Sequence, residues 1–541
     1  EINYAFDLEV PMRQLLLFCL FVCLIAGCQK KVRPIDENRQ ALRLNLHTEP
    51  PTLDARKAID TSSLGIISMC FEGLMKRGRN RTIHPAISYH VEISEDNTLY
   101  TFHLRSANWW DGKPVTAQDF EHTWKTILDP DFPSGFAQDL YVLKNAKAAK
   151  NGQISVEEIG VKAIDAKTLH VQLEYPVLYF LDLVASHSFL AVPSHITTRH
   201  PKWADNSGPY FIGNGPYKLK KWKHHNCIEL TKNELYWDQD VVTLDEIDLC
   251  IIEDPNTELN MYESGELDWA GYPLSNLPTD ALQALSGKKR LISYPLSGTY
   301  YYIFNVNEPP FNSLNMRKAF AYAINRKAII DNITLAHQTP ATSFIPPTIW
   351  DVNSYFQDND VEEARRLFAL GLDEMGWTLA TLPKITLIYN SSEAHHKIAQ
   401  AIQEQWFQAF GIRVKLANVD WKVFLNELQH KQFQVARMGG IAGFNDPMTF
   451  FDLYKYPESC NNFSGWNNPE FTRLLETAER CIDPIEREQL LRKAEAIFIS
   501  EMPVSPIYYY QGTYIKKGYL RGVELTEFSE ADFKFAFLEL Q

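Results

Sequence analysis

Tyr100-Thr101-Phe102-His103-Leu104-Arg105, then Trp109-Trp110-Asp111-Gly112-Lys113-Pro114-Val115-Thr116-Ala117-Gln118-Asp119-Phe120, is the most informative stretch of this chain. Its first half alternates apolar and polar residues, the period of a half-buried strand. Its second half runs into 117–128, where Phe120, Trp124 and Ile127 share one helical face. Alternation returns at Leu169-His170-Val171-Gln172-Leu173. Strand, helix and strand in that order imply a mixed chain, α/β or α+β, with strands and helices interleaved.

The same grammar continues outward. Asn312-Ser313 offers a cap to a helix whose Met316, Ala319, Phe320, Ala323 and Ile324 fall at i, i+3, i+4, i+7 and i+8. A second helix carries Ile398, Ile402, Trp406, Ala409 and Phe410, with Gly411 as its terminator and a strand expected over 412–416. A third is expected over 486–499. A chain of 541 residues is too long for one ordinary core. No Pro/Gly/Ser-rich linker divides the globular part, so its domains are expected to be built from discontinuous segments, with a hinge and a cleft where the chain crosses between them.

The N-terminal region reads differently. Met12-Arg13 precedes an apolar run, Leu15 to Ile25, which is about half of what spanning a bilayer needs. It ends in Ile25-Ala26-Gly27-Cys28 and resembles a bacterial lipobox. Residues 1–27 are read as a signal peptide, with 1–11 a doubtful extension. Cys28 is read as the lipidated first residue, and 28–41 as a tether that places the protein in the periplasm or at the cell surface. Five cysteines remain: Cys70, Cys227, Cys250, Cys460 and Cys481. Cys227 and Cys250 both lie in strand-like runs. A disulfide between them and two buried thiols are equally compatible with that pattern.

The formal net charge of −14 disfavours nucleic acid as a partner. His-Glu-x-x-His, Gly-x-Ser-x-Gly, the P-loop and Gly-x-Gly-x-x-Gly are all absent from the sequence. The pairs His224-His225 and His395-His396 are adjacent, and adjacent residues on a helix diverge by about 100°, which suits no metal chelate. The chain is therefore expected to bind rather than to catalyse, and to need no cofactor or metal.

The opening stretch closely resembles the signature of the extracellular solute-binding proteins of peptide transporters. Further resemblances keep the family order. Leu53-Asp54 and Phe71-Glu72-Gly73-Leu74 are followed by Asn214-Gly215-Pro216-Tyr217 and Trp237-Asp238. Next come Pro310-Phe311-Asn312, Met316-Arg317-Lys318-Ala319-Phe320 and Ala323-Ile324-Asn325-Arg326. The series ends with Glu363-Ala364-Arg365-Arg366-Leu367-Phe368 and Met502-Pro503-Val504. The match runs from about 42 to 520 and is strongest towards the periplasmic oligopeptide-binding branch, including its murein-peptide-binding members.

That resemblance implies a two-lobed periplasmic-binding-protein fold of three domains with a hinged cleft. Domain I would comprise 42–71, 196–296 and 511–541, domain II 72–195, and domain III 297–510. It implies a monomer that hands short peptides to the permease subunits of an ABC transporter. It also implies ligands held as extended strands through main-chain pairing. Arg437 matches an arginine that meets the ligand carboxylate, His395 a histidine of the same region, and Trp421 a pocket tryptophan. Gly439, Ile441, Gly443, Asn445 and Asp446 fall in the binding strand and loop. Tyr301, on a strand that alternates faces, is expected to line the cleft.

The departures from the family pattern are as telling. The aspartate that grips the ligand's amine is Gly443 here, so Asp446 is a candidate substitute. A family lysine falls on Ala321, and the partners of a family disulfide appear as Gly298 and Ile441. The loss at Gly443 keeps open a non-standard ligand: a murein-derived peptide, a metal chelate, haem or another small molecule.

Overall fold

The structure is a computed structural model, and it describes residues 39–457 and 461–539. The expected leader, Cys28, most of the expected tether and Cys460 lie outside the described residues. The chain from Gln40 to Glu539 is one folded unit. No helix of the described residues is long and apolar enough to cross a membrane.

The opening stretch folds as its pattern dictates. Leu99–Leu104 is a strand whose Tyr100, Phe102 and Leu104 are buried. It sits between Ser88–Ile93 and Thr168–Gln172, with Val161–Ala163 at the edge of the four-stranded sheet. Thr116 and Asp119 form a capping box for the helix Ala117–Ile127. Asp119 accepts from the Thr116 N–H at 2.9 Å. That helix buries Phe120, Trp124 and Ile127, and each such side chain contributes about 1.5–3 kcal/mol relative to exposure.

A second four-stranded sheet places Ala41–Asn45 parallel to Glu246–Cys250, which pairs in turn with Cys227–Lys232 and Tyr217–Lys223. Cys250 lies directly opposite Cys227. Both are thiols in this structure, and Cys250 Sγ donates towards the Leu44 carbonyl and Asn45 Oδ1, each at 3.5 Å.

The largest sheet has seven strands, in the order Trp269–Gly271, Val504–Lys516, Ile292–Phe304, Val435–Ile441, Thr386–Asn390 and Lys415–Val419, with Thr339–Pro340 beside Val504–Lys516. Its two longest members, Ile292–Phe304 and Val504–Lys516, pair antiparallel with a register shift between Pro295 and Thr299. They run from one apolar core to others. Tyr300, Tyr302, Val504 and Ile507 belong to the core built from residues 300–528. Ile515 joins a smaller cluster with Tyr262 and Leu267. A third core joins Leu42 and Leu44 to Leu520, Phe533 and Leu538, so the two ends of the described chain share one interior.

The expected helices form, with Ser313 accepting from the Met316 N–H and Gly411 ending Glu393–Phe410 at φ +71°. The strand expected over 412–416 is displaced, because its partner Thr386–Asn390 begins the ladder at Lys415. Val414 is buried but lies before the first rung.

Candidate ligand-binding site

The site grows from one strand, Val435–Ile441. On one side it pairs along its whole length with Ile292–Phe304, from Val435 opposite Phe304 to Ile441 opposite Gly298. On the other side Thr386–Asn390 reaches only Val435 and Ala436. The Asn305 N–H donates to the Gln434 carbonyl at 3.0 Å, and the Ala442 N–H donates to the Ser297 carbonyl at 2.7 Å. Both contacts put even-numbered positions towards Ile292–Phe304. Alternation therefore turns the N–H and C=O groups of Gly439 and Ile441 to the opposite edge. Among the described residues no strand pairs with that edge.

Arg437 stands at the closed end of this edge. Its guanidinium lies 4.6 Å from the centre of the Tyr300 ring. It donates to Asn390 Oδ1 at 3.2 Å and to Tyr510 Oη at 3.1 Å. Its Nε has no partner, and it forms no ion pair among the described residues. Burial opposes the charge of Arg437, while Tyr510 and Tyr300 act the other way and leave it above its ordinary pKa. A charged guanidinium is thus held in place by neutral oxygens, with donor capacity left over.

His395 lies in the first turn of Glu393–Phe410, where Ser392 Oγ accepts from its N–H at 3.5 Å. Its Nδ1 is 3.3 Å from Tyr300 Oη. Burial, and then Arg437, hold its pKa down at about 3. It is therefore a neutral imidazole at physiological pH. Trp421 is the first residue of Trp421–Gln429 and stacks on Phe424 at 5.9 Å. It is 48% exposed, so core packing does not account for it.

Gly439, Gly440 and Gly298 differ in how much room they leave, and Ile441 fills part of it. A Cβ on Gly439 would lie 2.1 Å from Tyr510 Oη, so the arginine's tyrosine partner requires glycine there. A Cβ on Gly440 would meet nothing within 4 Å. Gly298 and Ile441 are opposed in register, and Ile441 Cδ1 fills the space that a side chain on Gly298 would take.

Tyr301 does not line the cleft. It faces away from Arg437, buried with its ring 5.2 Å from Phe344. Tyr300, which alternation alone cannot choose over Tyr301, lies beneath the guanidinium. Ala321 is buried in the helix Leu314–Tyr322.

The loop after the strand is largely engaged, with Asn445 Oδ1 buried and without a partner among the described residues. Arg77 Nη2 donates to the Gly443 carbonyl at 2.6 Å, and the Gly443 N–H donates to Thr449 Oγ1 at 3.0 Å. Asp182 Oδ1 accepts from the Asn445 N–H at 2.9 Å and pairs with Arg77 at 2.9 Å. Phe444 stacks on Tyr179, with ring centres 4.6 Å apart and planes 8° apart. Asp446 takes a bidentate pair from Arg487 at 2.6 and 2.9 Å and caps Met448 at 3.0 Å. Asp446 is already neutralised by Arg487, so an ammonium would have to share that carboxylate with the guanidinium. Asn390, Tyr510, Arg77 and Asp182 carry no sequence signal of their own, because each enters through strand register or a long-range contact.

A sequence model of bacterial extracellular solute-binding proteins, family 5 Middle, matches residues 82–462. The chain is 41% identical over 509 residues to the oligopeptide-binding protein OppA of Bacillus subtilis, covering 93% of each chain. It is 31% identical to the periplasmic murein peptide-binding protein MppA of Escherichia coli, over 90% of each. Its fold superposes on Haemophilus influenzae OppA in complex with the peptide RPPGFSPFR with a TM-score of 0.80. That match has 28% identity and covers 93% of this chain and 99% of the other.

Proposed function

This chain belongs to the family-5 bacterial extracellular solute-binding proteins, and from that premise we propose that it captures short peptides for an ABC importer. The observation that carries the reading is the pairing of an open strand edge at Gly439 and Ile441 with an unpaired arginine at its end. An extended peptide completes the sheet through main-chain hydrogen bonds, which are blind to side chains. Its carboxylate meets the free donors of Arg437, a charge-assisted contact whose fork geometry suits two oxygens. Neutral His395 beside Tyr300 adds no competing charge.

The role is binding, with ATP hydrolysis left to separate subunits. Domain I would comprise 42–71, 196–296 and 511–541, domain II 72–195 and domain III 297–510. The paired strands Ile292–Phe304 and Val504–Lys516 would then act as the hinge. The protein acts as a monomer held to a membrane through Cys28. A second reading, a non-standard ligand such as a murein-derived peptide, rests on Gly443, which brings no carboxylate to the loop.

Native mass spectrometry of protein purified without residues 1–28, with release and sequencing of bound material, tests the proposal. A set of short peptides is the expected result. A single non-peptide species, or an empty protein that a peptide library does not stabilise to heat, would overturn it.

A further inference from the structure

The face of the seven-stranded sheet that carries Arg437 continues past it. Tyr510, bonded to Arg437, is followed on the same side of Val504–Lys516 by Gly512 and Tyr514. A Cβ on Gly512 would strike the Tyr294 ring at 2.5 Å, which places that ring over the strand between Tyr510 and Tyr514. Tyr514 in turn stacks on Trp269, with ring centres 4.1 Å apart and planes 5° apart. These aromatic rings wall a cavity of about 500 Å³ that Glu527 also lines.

Glu527 is joined to the ligand strand by two main-chain bonds. The Ser297 N–H donates to the Glu527 carbonyl at 2.6 Å, and the Ser297 carbonyl accepts from the Ala442 N–H at 2.7 Å. Its side chain is the unusual part. Glu527 Oε2 is buried and has no hydrogen-bond partner among the described residues. The hydroxyls of Tyr294 and Ser297 are in the same condition. Burial first, then Tyr272, Tyr514 and the Glu527 carboxylate, push the Tyr294 hydroxyl up and keep it protonated. Two cations line the cavity but are engaged elsewhere: Lys516 Nζ donates to the Leu520 carbonyl at 2.7 Å, and Arg521 pairs with Glu539 at 3.0 Å. A buried carboxylate oxygen without a donor is costly, and such groups normally have a partner.

One sheet face thus holds an arginine lacking an acid and, further along, a carboxylate lacking a cation. From Tyr510 to Tyr514 the strand advances four residues, or about 13 Å at ~3.3 Å per residue. We infer that Glu527, with the rings of Tyr294, Tyr514 and Trp269, is a subsite for a cationic group of the ligand, normally the free amino terminus of a peptide about four residues long. Aromatic faces and a carboxylate together suit an ammonium. This subsite rests on the carboxylate role of Arg437, and it replaces the amine contact that Gly443 cannot make.

Calorimetry on the full folded protein tests it with alanine peptides of four to six residues in three forms: free, amino-acetylated and carboxy-amidated. Acetylation is expected to weaken wild-type binding at least tenfold. Glu527→Gln is expected to remove that penalty while keeping the penalty for amidation. Tyr294→Phe, which removes only a hydroxyl, is expected to reduce the acetylation penalty in part and serves if Glu527→Gln does not fold. An acetylation penalty that persists in both variants, or is absent from wild type while amidation still matters, overturns the Glu527 subsite alone. Insensitivity to amidation, or no binding of any form, contradicts the Arg437 reading and the subsite with it.

Discussion

The strand from Arg437 to Ile441 and the loop from Gly443 to Asp446 adjoin in sequence and treat their polar groups in opposite ways. The strand leaves an edge unpaired and holds a cation without an acid. The loop commits the Gly443 carbonyl to Arg77, the Asn445 N–H to Asp182 and the Asp446 carboxylate to Arg487. Arg437 and Arg487 make the contrast sharp. One is surrounded by tyrosine hydroxyls and an amide, the other is neutralised by a bidentate carboxylate. In the strand the spare groups lie along one open edge beside a cation, whereas in the loop most polar groups are matched within the protein and Asn445 Oδ1 is the exception. The loop's partners Arg77, Tyr179 and Asp182 come from a distant stretch of chain, so these contacts tie residues 443–446 to residues 77–182.

Asp446→Ala should give the largest effect. It leaves Arg487 buried without its partner and removes the Met448 cap, at a cost of about 3–5 kcal/mol in urea unfolding. A loss below about 1 kcal/mol would erase the distinction between strand and loop. Arg437→Ala should act in the other direction on the two readouts. Binding of peptides with a free carboxylate should weaken by about 1.5–3 kcal/mol in calorimetry. Unfolding stability should hold or rise, since a poorly compensated charge is removed. Lost stability with intact affinity would make Arg437 a structural residue.

His395 gives a pH test of the same end of the strand. Its folded pKa of about 3 lies below the ordinary histidine value, so the unfolded chain takes up the proton first. Its contribution to stability is present above about pH 6.5 and is lost as pH falls from there towards 3. His395→Asn should flatten that part of the stability profile. An unchanged slope in the variant would show that His395 is solvated. Gly443→Asp should have the smallest effect, within about 0.5 kcal/mol of wild-type stability. The nearest atom to its new Cβ is Thr449 Oγ1 at 3.9 Å. A large gain for free-amine peptides would move the ammonium site from Glu527 back to the loop.

Periodicity made the secondary structure legible where one face is strongly apolar, as in Ala117–Ile127 and Leu314–Tyr322. It failed at 412–416 because a ladder begins where its partner strand begins, which is information held at Thr386. It also placed Tyr300, Tyr301 and Tyr302 on alternating faces without fixing which face meets the ligand. Register puts Tyr302 opposite Arg437 and Tyr300 opposite Gly439, on the arginine's face of the sheet. Arg437, His395 and Trp421 were accessible through family resemblance, and the first two meet at Tyr300. The commitment of Asp446 was not readable, because Arg487 lies 41 residues away in sequence. Glu527 was hidden for a similar reason. Nothing in Glu524-Leu525-Thr526-Glu527 marks one carboxylate oxygen as buried and unpartnered until the chain end folds over the central sheet.

The most direct measurement is a crystal structure of the protein with a short peptide of free termini. The expected result has the peptide main chain paired with Gly439 and Ile441 and its carboxylate within about 3 Å of the Arg437 guanidinium. A bound ligand that leaves that strand edge empty, or that turns a neutral group to Arg437, would contradict the central claim.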